Sequence, residues 1–251
     1  MDKQKVAILD AQVDGLDMQG AIDFVAKTIA EARNAGLQAA KPKHIITLNA
    51  EIIYRAQSEP ELLEIINQAD LVTPDGAGVV WAAQYLGTPV PGRVTGIDLL
   101  QEVVREADQK GWQLFFFGGA PGVADKAVEN LKKKYKNIKI VGTKHGYISS
   151  KEEEKELTEK IKNAAPDIIF VALGAPRQEY WIKKHKDFLQ VPVCIGVGGS
   201  FDVIAGKVTR APGWMQQAKL EWLYRLVKEP ARYKRMLALP KFMLKVIQSK
   251  K

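Results

Sequence analysis

The sequence predicts an α/β fold with a Rossmann-like, mostly parallel sheet that carries helices on both faces. Short apolar or β-branched runs alternate with longer helical stretches along most of the chain, and this alternation is typical of βαβ units. The chain has 251 residues, of which 46% are hydrophobic. It is therefore long enough to build one large core and a smaller appendage.

The predicted elements follow one another in a regular order. Apolar runs predict seven strands, at Val6–Leu9, His44–Leu48, Leu71–Thr73, Gln113–Phe117, Ile138–Val141, Asp167–Leu173 and Pro192–Val197. Helices are predicted at Asp17–Asn34, Pro60–Gln68, Ala77–Leu86, Ile97–Lys110, Gly122–Tyr135, Lys151–Asn163 and Pro176–Lys184. Because helices separate the strands, the strands are expected to pair in parallel.

The charge divides the chain into two parts. Residues 1–206 hold 25 Lys and Arg against 27 Asp and Glu, whereas residues 207–251 hold 12 against 2. The second part also carries aromatic and aliphatic residues at helical spacing, and Pro212, Pro230 and Pro240 are expected to divide it into short helices. The sequence thus predicts an α/β core over 1–206 and a basic amphipathic helical appendage over 207–251, a composition that suits anionic membrane surfaces.

The single cysteine and the absence of long apolar runs bear on location. Cys194 lies in an apolar run and has no partner for an internal disulfide, which favours a buried, inert thiol in a reducing compartment. No apolar run reaches the length needed to span a bilayer, and no signal-type segment follows the N-terminus. We therefore expect a cytoplasmic protein that attaches peripherally to the inner face of the cell membrane.

Polar and glycine-rich residues follow several predicted strands. Asp75 comes directly after one strand, and in open α/β sheets ligands bind at this edge. A carboxylate there can act as a general base, although an Asp-Gly turn that caps the next helix is an equally good interpretation. Other such ends are Thr47 to Asn49, Gly118-Gly119, Gly174 to Glu179 and Gly196 to Asp202. Together these ends predict a ligand cleft, although each alone could be a structural turn.

Six motifs, in their order along the chain, resemble those of the WecG/TagA/CpsF glycosyltransferases. They are Thr47-Leu-Asn-Ala-Glu, Thr73-Pro-Asp-Gly-Ala-Gly-Val-Val, Arg93-Val-Thr-Gly-Ile-Asp, Phe117-Gly-Gly, Gly174-Ala-Pro-Arg-Gln-Glu and Gly198-Gly-Ser-Phe-Asp. The resemblance runs from about Val6 to Pro240 and is strongest to the branch that acts in wall teichoic acid synthesis. It implies transfer of N-acetylmannosamine (ManNAc) from UDP-ManNAc to undecaprenyl-diphosphate-GlcNAc, with inversion and with neither a metal nor another cofactor.

The resemblance also implies roles for individual residues. Asp75 matches the base that deprotonates the acceptor hydroxyl, and Asp202 matches a contact to the uracil. The other matching pocket residues are Thr47, Asn49, Arg93 and Gln178, and the glycines Gly118, Gly119 and Gly174 are expected to let the backbone approach the substrate. Arg225, Arg232 and Arg235 match appendage arginines that close over the site and stabilise the leaving diphosphate, although a solvated basic face or a lipid-headgroup patch would explain each as well.

Other functions stay open from sequence alone. The donor could carry the uronic acid of ManNAc for another surface polysaccharide. A nucleic-acid-binding module would explain the basic tail, but no base-reading motif is present, so no nucleic acid partner is expected. A nicotinamide-dependent oxidoreductase would explain Gly118-Gly119, but no acidic residue follows at the distance expected for a ribose contact. The expected partners are therefore the UDP-sugar, the lipid-linked acceptor and an anionic membrane surface.

Overall fold

A computed structural model gives the fold of the chain. It describes residues 5–36, 41–218, 220–228 and 233–250, except for the side chains of Gln217, Arg225, Lys234 and Arg235. The described part is an α/β structure with a six-stranded sheet and helices on both faces, as the alternating pattern predicts. Arg232 and Pro230 lie outside the described residues.

Eight strands are present in the described chain. Two form a separate antiparallel hairpin, with β1 at Lys5–Ile8 and β2 at Ala11–Asp14. The other six are all parallel and lie in the order β4-β3-β8-β7-β5-β6. Their bounds are β3 Lys43–Leu48, β4 Leu71–Pro74, β5 Gln113–Gly118, β6 Lys139–Lys144, β7 Ile168–Ala172 and β8 Val193–Gly196. The carboxyl ends of these six strands therefore meet at one edge.

The helices of the α/β part cover the two faces of the sheet. Their bounds are α1 Met18–Ala35, α2 Ala50–Ala56, α3 Pro60–Gln68, α4 Ala77–Tyr85, α5 Gly96–Lys110, α6 Val123–Lys134, α7 Lys151–Ala164, α8 Arg177–Leu189 and α9 Ser200–Ile204. One large core cluster lies between the sheet and α1, α5, α6 and α9. Two further clusters fill the other face. One lies under the hairpin and α2 to α4, and the other lies under α7 and α8. Burial raises the pKa of the Cys194 thiol to about 12, consistent with the inert thiol predicted.

Four helices follow in the described part of the C-terminal segment. They are α10 Gly213–Gln217, α11 Glu221–Lys228, α12 Tyr233–Met236 and α13 Ala238–Ser249. Pro240 was expected to help divide this segment into short helices. It lies in the first turn of α13, shortly after α12 ends at Met236. A missing N–H costs nothing there, because the first-turn amides have no intrahelical partner.

Helix α13 packs against the α/β part of the chain. Phe242 and Val246 are fully buried and belong to the core cluster that α2 and α4 also line. Leu244 and Ile247 on the same helix are 56% and 46% exposed. The boundary at residue 206 stays a prediction, but α13 shares a core with the residues before that boundary.

Candidate functional site

A cleft of about 720 Å³ lies along the carboxyl edge of the sheet. Eight of the residues singled out from sequence line it, namely Thr47, Asn49, Asp75, Arg93, Gly119, Gly174, Gln178 and Asp202. They come from segments that lie far apart in sequence and meet because parallel strands end at the same edge. The volume is within the range of small-molecule sites.

Asp75 is held at the floor of this cleft by its backbone and its side chain. It follows β4 directly, and its amide donates to the carbonyl of Leu48 at 2.9 Å. Its Oδ2 atom accepts a hydrogen bond from the amide of Gly96, the first residue of α5, at 3.1 Å. The carboxylate is thus fixed in orientation between two strand ends and one helix start.

Thr47 and Asn49 each form one hydrogen bond between the side chain and the backbone of the fold. The Thr47 hydroxyl donates to the carbonyl of Gly196 at 3.0 Å and so joins β3 to β8. Asn49 caps α2, since its Oδ1 accepts from the Ile52 amide at 3.0 Å. What remains for a ligand is the lone pairs of the Thr47 hydroxyl and the Nδ2 group of Asn49.

Gln178 is clamped at both ends of its amide. Its Oε1 accepts from the amide of Gly198 at 2.9 Å, and its Nε2 donates to Oε1 of Glu179 at 2.8 Å. A Cβ on Gly196 would lie 2.7 Å from Nε2, so only glycine leaves room for this side chain. The orientation of the Gln178 amide is therefore set before any ligand binds.

Glu179 is a buried acid to which the sequence interpretation gave no role. It is fully buried, and burial raises its pKa to about 7 against the opposing hydrogen bond from Gln178. Its second oxygen, Oε2, has no hydrogen-bond partner. Its place beside Gln178 in the Gly174-Ala-Pro-Arg-Gln-Glu motif was the only sequence signal for it. We interpret it as a support for Gln178 because it does not line the cleft.

The glycine turn after β5 serves packing as well as the cleft. Gly118 has a φ of +132°, and a Cβ there would overlap the carbonyl of Ala172 on the neighbouring strand. Gly118 does not line the cleft, but Gly119 does. The Gly119 amide donates to the Ala172 carbonyl at 2.9 Å, so this turn commits at least one of its backbone donors to the sheet.

Asp202 and Gly174 occupy the remaining strand ends. Asp202 lies in the first turn of α9, after β8, and is half-buried. Gly174 follows β7 with a φ of +75°, a conformation that favours glycine. Both line the cleft together with Gln178, and their roles stay predictions.

A network of ion pairs lies at the border of the cleft, and the sequence did not predict it. Arg210 donates to both oxygens of Asp98, at 2.5 and 2.8 Å. Glu221, the first residue of α11, lies 3.4 Å from Nη1 of Arg93 and 3.5 Å from Nε of Arg210. Burial opposes ionisation of Asp98, but hydrogen bonds from Arg210 and Thr95 hold its pKa below the ordinary value. The network connects the loop before α5 to the C-terminal segment.

The C-terminal segment also contributes apolar residues to the cleft, namely Trp222, Met236, Leu239 and Met243. The C-terminal segment is thus held at two places, by the ion pairs of Arg210 and Glu221 and by α13. The side chains of Arg225 and Arg235 and the whole of Arg232 lie outside what the structure describes. Their roles stay predictions.

Comparison with known proteins identifies the family of the chain. The family model of the glycosyl transferase WecG/TagA/CpsF family matches residues 6–251. The chain belongs to the WecG/TagA/CpsF family. The sequence resemblance is thus confirmed.

Curated relatives share most of the length. The chain is 39% identical over 208 residues to a protein of Bacillus spizizenii strain W23, covering 83% of this chain and 80% of the relative. It is 34% identical over 247 residues to a protein of Staphylococcus aureus strain MW2, covering 98% and 94%. Both relatives carry the name N-acetylglucosaminyldiphosphoundecaprenol N-acetyl-beta-D-mannosaminyltransferase.

Within residues 5–36, 41–218, 220–228 and 233–250, no group of three or more His, Cys, Asp or Glu side chains is arranged to hold a metal ion. Among the helices in these ranges, none is long and apolar enough to cross a membrane.

Proposed function

We propose that this chain transfers N-acetylmannosamine from UDP-ManNAc to undecaprenyl-diphosphate-GlcNAc, with inversion at the anomeric carbon and without a metal ion. The product would be the lipid-linked disaccharide of wall teichoic acid synthesis. The names of the relatives from B. spizizenii and S. aureus support the acceptor and the sugar. The observation that carries the mechanism is the fixed carboxylate of Asp75 in the cleft.

In the proposed reaction Asp75 acts as the general base. An acceptor hydroxyl of the GlcNAc attacks the anomeric carbon of the donor while its proton passes to the Asp75 carboxylate. The bond between that carbon and the UDP oxygen breaks, and the diphosphate leaves with an added negative charge. The hydrogen bond from Gly96 keeps the carboxylate in place, which matters because general bases act only within hydrogen-bond reach.

The remaining cleft residues would position the substrates. Asp202 would contact the uracil, and Asn49 and Gln178 would offer amide N–H groups to the sugars. Arginines are proposed to stabilise the leaving diphosphate, because a guanidinium binds phosphate oxygens with two parallel hydrogen bonds. Arg93 lines the cleft. From the resemblance, Arg225, Arg232 and Arg235 would approach once the C-terminal segment closes.

The C-terminal segment would also bring the enzyme to its lipid-linked acceptor at the inner face of the membrane. It exposes large apolar side chains, with Trp214 65% and Val227 70% exposed. Residues 207–251 hold 12 basic against 2 acidic residues. Exposed apolar and basic residues together favour binding to an anionic membrane surface.

The test of this function is direct sugar transfer. Purified full-length protein is incubated with UDP-ManNAc and a short-chain lipid-diphosphate-GlcNAc, and the labelled disaccharide is separated from the donor. The same assay with the uronic acid of UDP-ManNAc distinguishes the alternative donor. Transfer from UDP-ManNAc is expected. No transfer from UDP-ManNAc, or faster transfer from the uronic acid, would overturn the proposal.

A further inference from the structure

Glu221 places its carboxylate between two guanidinium groups at the edge of the cleft. Its two oxygens lie 3.4 Å from Arg93 and 3.5 Å from Arg210, and its side chain is only 13% exposed. Charge-assisted hydrogen bonds between guanidinium and carboxylate are normally near 2.7 to 2.9 Å. The two arginines therefore bind the Glu221 carboxylate at distances longer than those of a strong ion pair.

Arg210 is fixed in place by a support that does not involve Glu221. Its Nη1 and Nη2 atoms bind both oxygens of Asp98, and Asp98 accepts a further hydrogen bond from the Thr95 hydroxyl at 2.6 Å. The remaining nitrogen, Nε, is buried, and its contact with Glu221 at 3.5 Å is an ion pair without hydrogen-bond geometry. A buried donor without a hydrogen bond is unfavourable, so an oxygen that came closer than Glu221 would be bound in preference.

Arg93 and Glu221 lie in the same cleft as the proposed base. Arg93, Thr95 and Glu221 line the same cleft as Asp75, whereas Arg210 does not line it and meets it through its contact with Glu221. The Gly96 amide that binds the Asp75 carboxylate is three residues from Arg93 in the same loop. An anion that took the place of the Glu221 carboxylate would therefore lie in the cleft in which the leaving diphosphate forms.

We propose that Arg93 and Arg210 form a diphosphate subsite, and that Glu221 occupies it as an internal anion until a substrate displaces it. The identity of the natural anion rests on the proposed function, since both substrates carry a diphosphate. A diphosphate has more charge and more oxygens than a carboxylate, and it can reach Nε of Arg210 and Nη1 of Arg93 together. Glu221 thus competes with the substrate for the two arginines.

The competition predicts that removal of the Glu221 charge strengthens anion binding. Full-length protein is titrated with inorganic pyrophosphate by isothermal titration calorimetry at low salt. Glu221→Gln keeps the size of the side chain, and we expect it to bind pyrophosphate about 2- to 5-fold more tightly than wild type, the range of a weak ion pair. Unchanged or weaker binding by Glu221→Gln would overturn the proposal.

Two further variants make the result specific. Glu102→Gln removes the same charge from an exposed ion pair with Arg105 on α5, and it should change binding less than 2-fold. Arg210→Lys keeps the charge and an ion-pair partner for Asp98 but removes Nε. It should weaken pyrophosphate binding and reduce the gain from Glu221→Gln in the double variant. The subsite would be contradicted if Glu102→Gln strengthened pyrophosphate binding as much as Glu221→Gln does. It would also be contradicted if Glu221→Gln had its full effect in the Arg210→Lys background, which lacks Nε.

Two further ligands identify the source of the diphosphate. Wild type and Glu221→Gln are titrated with UDP and, separately, with a short-chain lipid-diphosphate-GlcNAc. If Glu221→Gln binds UDP more tightly than wild type does, the subsite belongs to the donor. If it binds the lipid more tightly, the subsite belongs to the acceptor. Tighter binding of pyrophosphate alone would overturn the link to either substrate. These measurements need no turnover, so failure of the sugar-transfer assay and failure of the subsite are separate results.

Discussion

The carboxylate of Asp75 accepts a hydrogen bond from the backbone amide of Gly96, at 3.1 Å. This contact joins the end of β4 to the first residue of α5. A Cβ on Gly96 would lie 3.0 Å from the Thr47 hydroxyl and 3.4 Å from the backbone of Val197, so the close approach of this loop to β3 and β8 favours glycine. The proposed base is thus positioned by the backbone of the fold.

Substitution of Gly96 should disturb the site more than the overall fold. Gly96→Ala puts a methyl group against Thr47 and Val197, which must shift by a few tenths of an ångström, and this moves the amide that orients Asp75. We expect kcat to fall about 10-fold or more with little change in UDP affinity, since small misplacements of catalytic groups are costly. Steady-state kinetics and UDP titration measure both. A normal kcat would show that the Gly96 contact does not orient the base.

Glu179 predicts a pH dependence of stability. Burial raises its pKa from 4.5 to about 7. Between these pH values the unfolded chain loses a proton that the folded chain keeps, so the free energy of unfolding falls as pH rises through this window. Glu179→Gln cannot ionise and should be more stable relative to wild type at pH 8 than at pH 5, by on the order of 1–3 kcal/mol.

Urea unfolding of both proteins at pH 5 and pH 8 measures this difference. Glu156→Gln, at an exposed position on α7, is the matched control and should leave the pH dependence unchanged. If Glu179→Gln and wild type respond to pH in the same way, the buried carboxyl does not titrate in this range.

Phe242 predicts that α13 stabilises the α/β part of the chain. Phe242 is fully buried with α2 and α4, whereas Leu244 two residues later is 56% exposed. Phe242→Ala should lower the free energy of unfolding by about 3–5 kcal/mol, because it removes a large side chain from a packed core. Leu244→Ala should cost about 0.5 kcal/mol or less. Equal small effects would mean that α13 is a separable part of the appendage.

The exposed apolar residues of the C-terminal segment predict membrane binding. A double variant with Trp214→Glu and Val227→Glu should bind anionic vesicles at least about 10-fold more weakly, since each substitution removes an apolar side chain and adds a negative charge. Phe188→Glu is the control, because Phe188 is 39% exposed but lies on α8. Vesicle sedimentation at rising salt measures the binding. A loss of similar size in Phe188→Glu would contradict a specific role of the segment.

Most of the fold was predictable because its signals are local. Each parallel strand is a short apolar run, and helices such as α3 and α5 begin and end close to the positions predicted from sequence. Strand β2 was missed because Leu9 and Asp10 adopt positive φ without a glycine to mark the turn. Helix α2 was missed because Asn49, which caps it, was interpreted only as a pocket residue.

The candidate site was predictable for the same reason, but only in part. Strand-end motifs identify the cleft because parallel strands bring their ends together. The ion pairs of Arg210 with Asp98 and of Arg93 with Glu221 join residues 112 and 128 positions apart. No local pattern marks such pairs, and they depend on where the C-terminal segment packs. Gly118 was expected at the substrate, yet its close contact with Ala172 is a packing requirement.

The proposed metal-independent mechanism predicts insensitivity to chelators. If arginines stabilise the leaving diphosphate, sugar transfer should keep its full rate in excess EDTA. The assay is transfer from UDP-ManNAc with and without EDTA, followed by addition of magnesium or manganese. Loss of activity that either cation restores would contradict the mechanism.

The most direct test of the account is sugar transfer by Asp75→Asn. The amide keeps the shape of the side chain but cannot accept the proton of the acceptor hydroxyl. We predict that transfer from UDP-ManNAc to the lipid-diphosphate-GlcNAc falls by roughly 10²- to 10⁴-fold, the usual effect of losing a general base, while UDP binding and the melting temperature stay near those of wild type. A variant that folds, binds UDP and transfers sugar at close to the wild-type rate would contradict the role of Asp75.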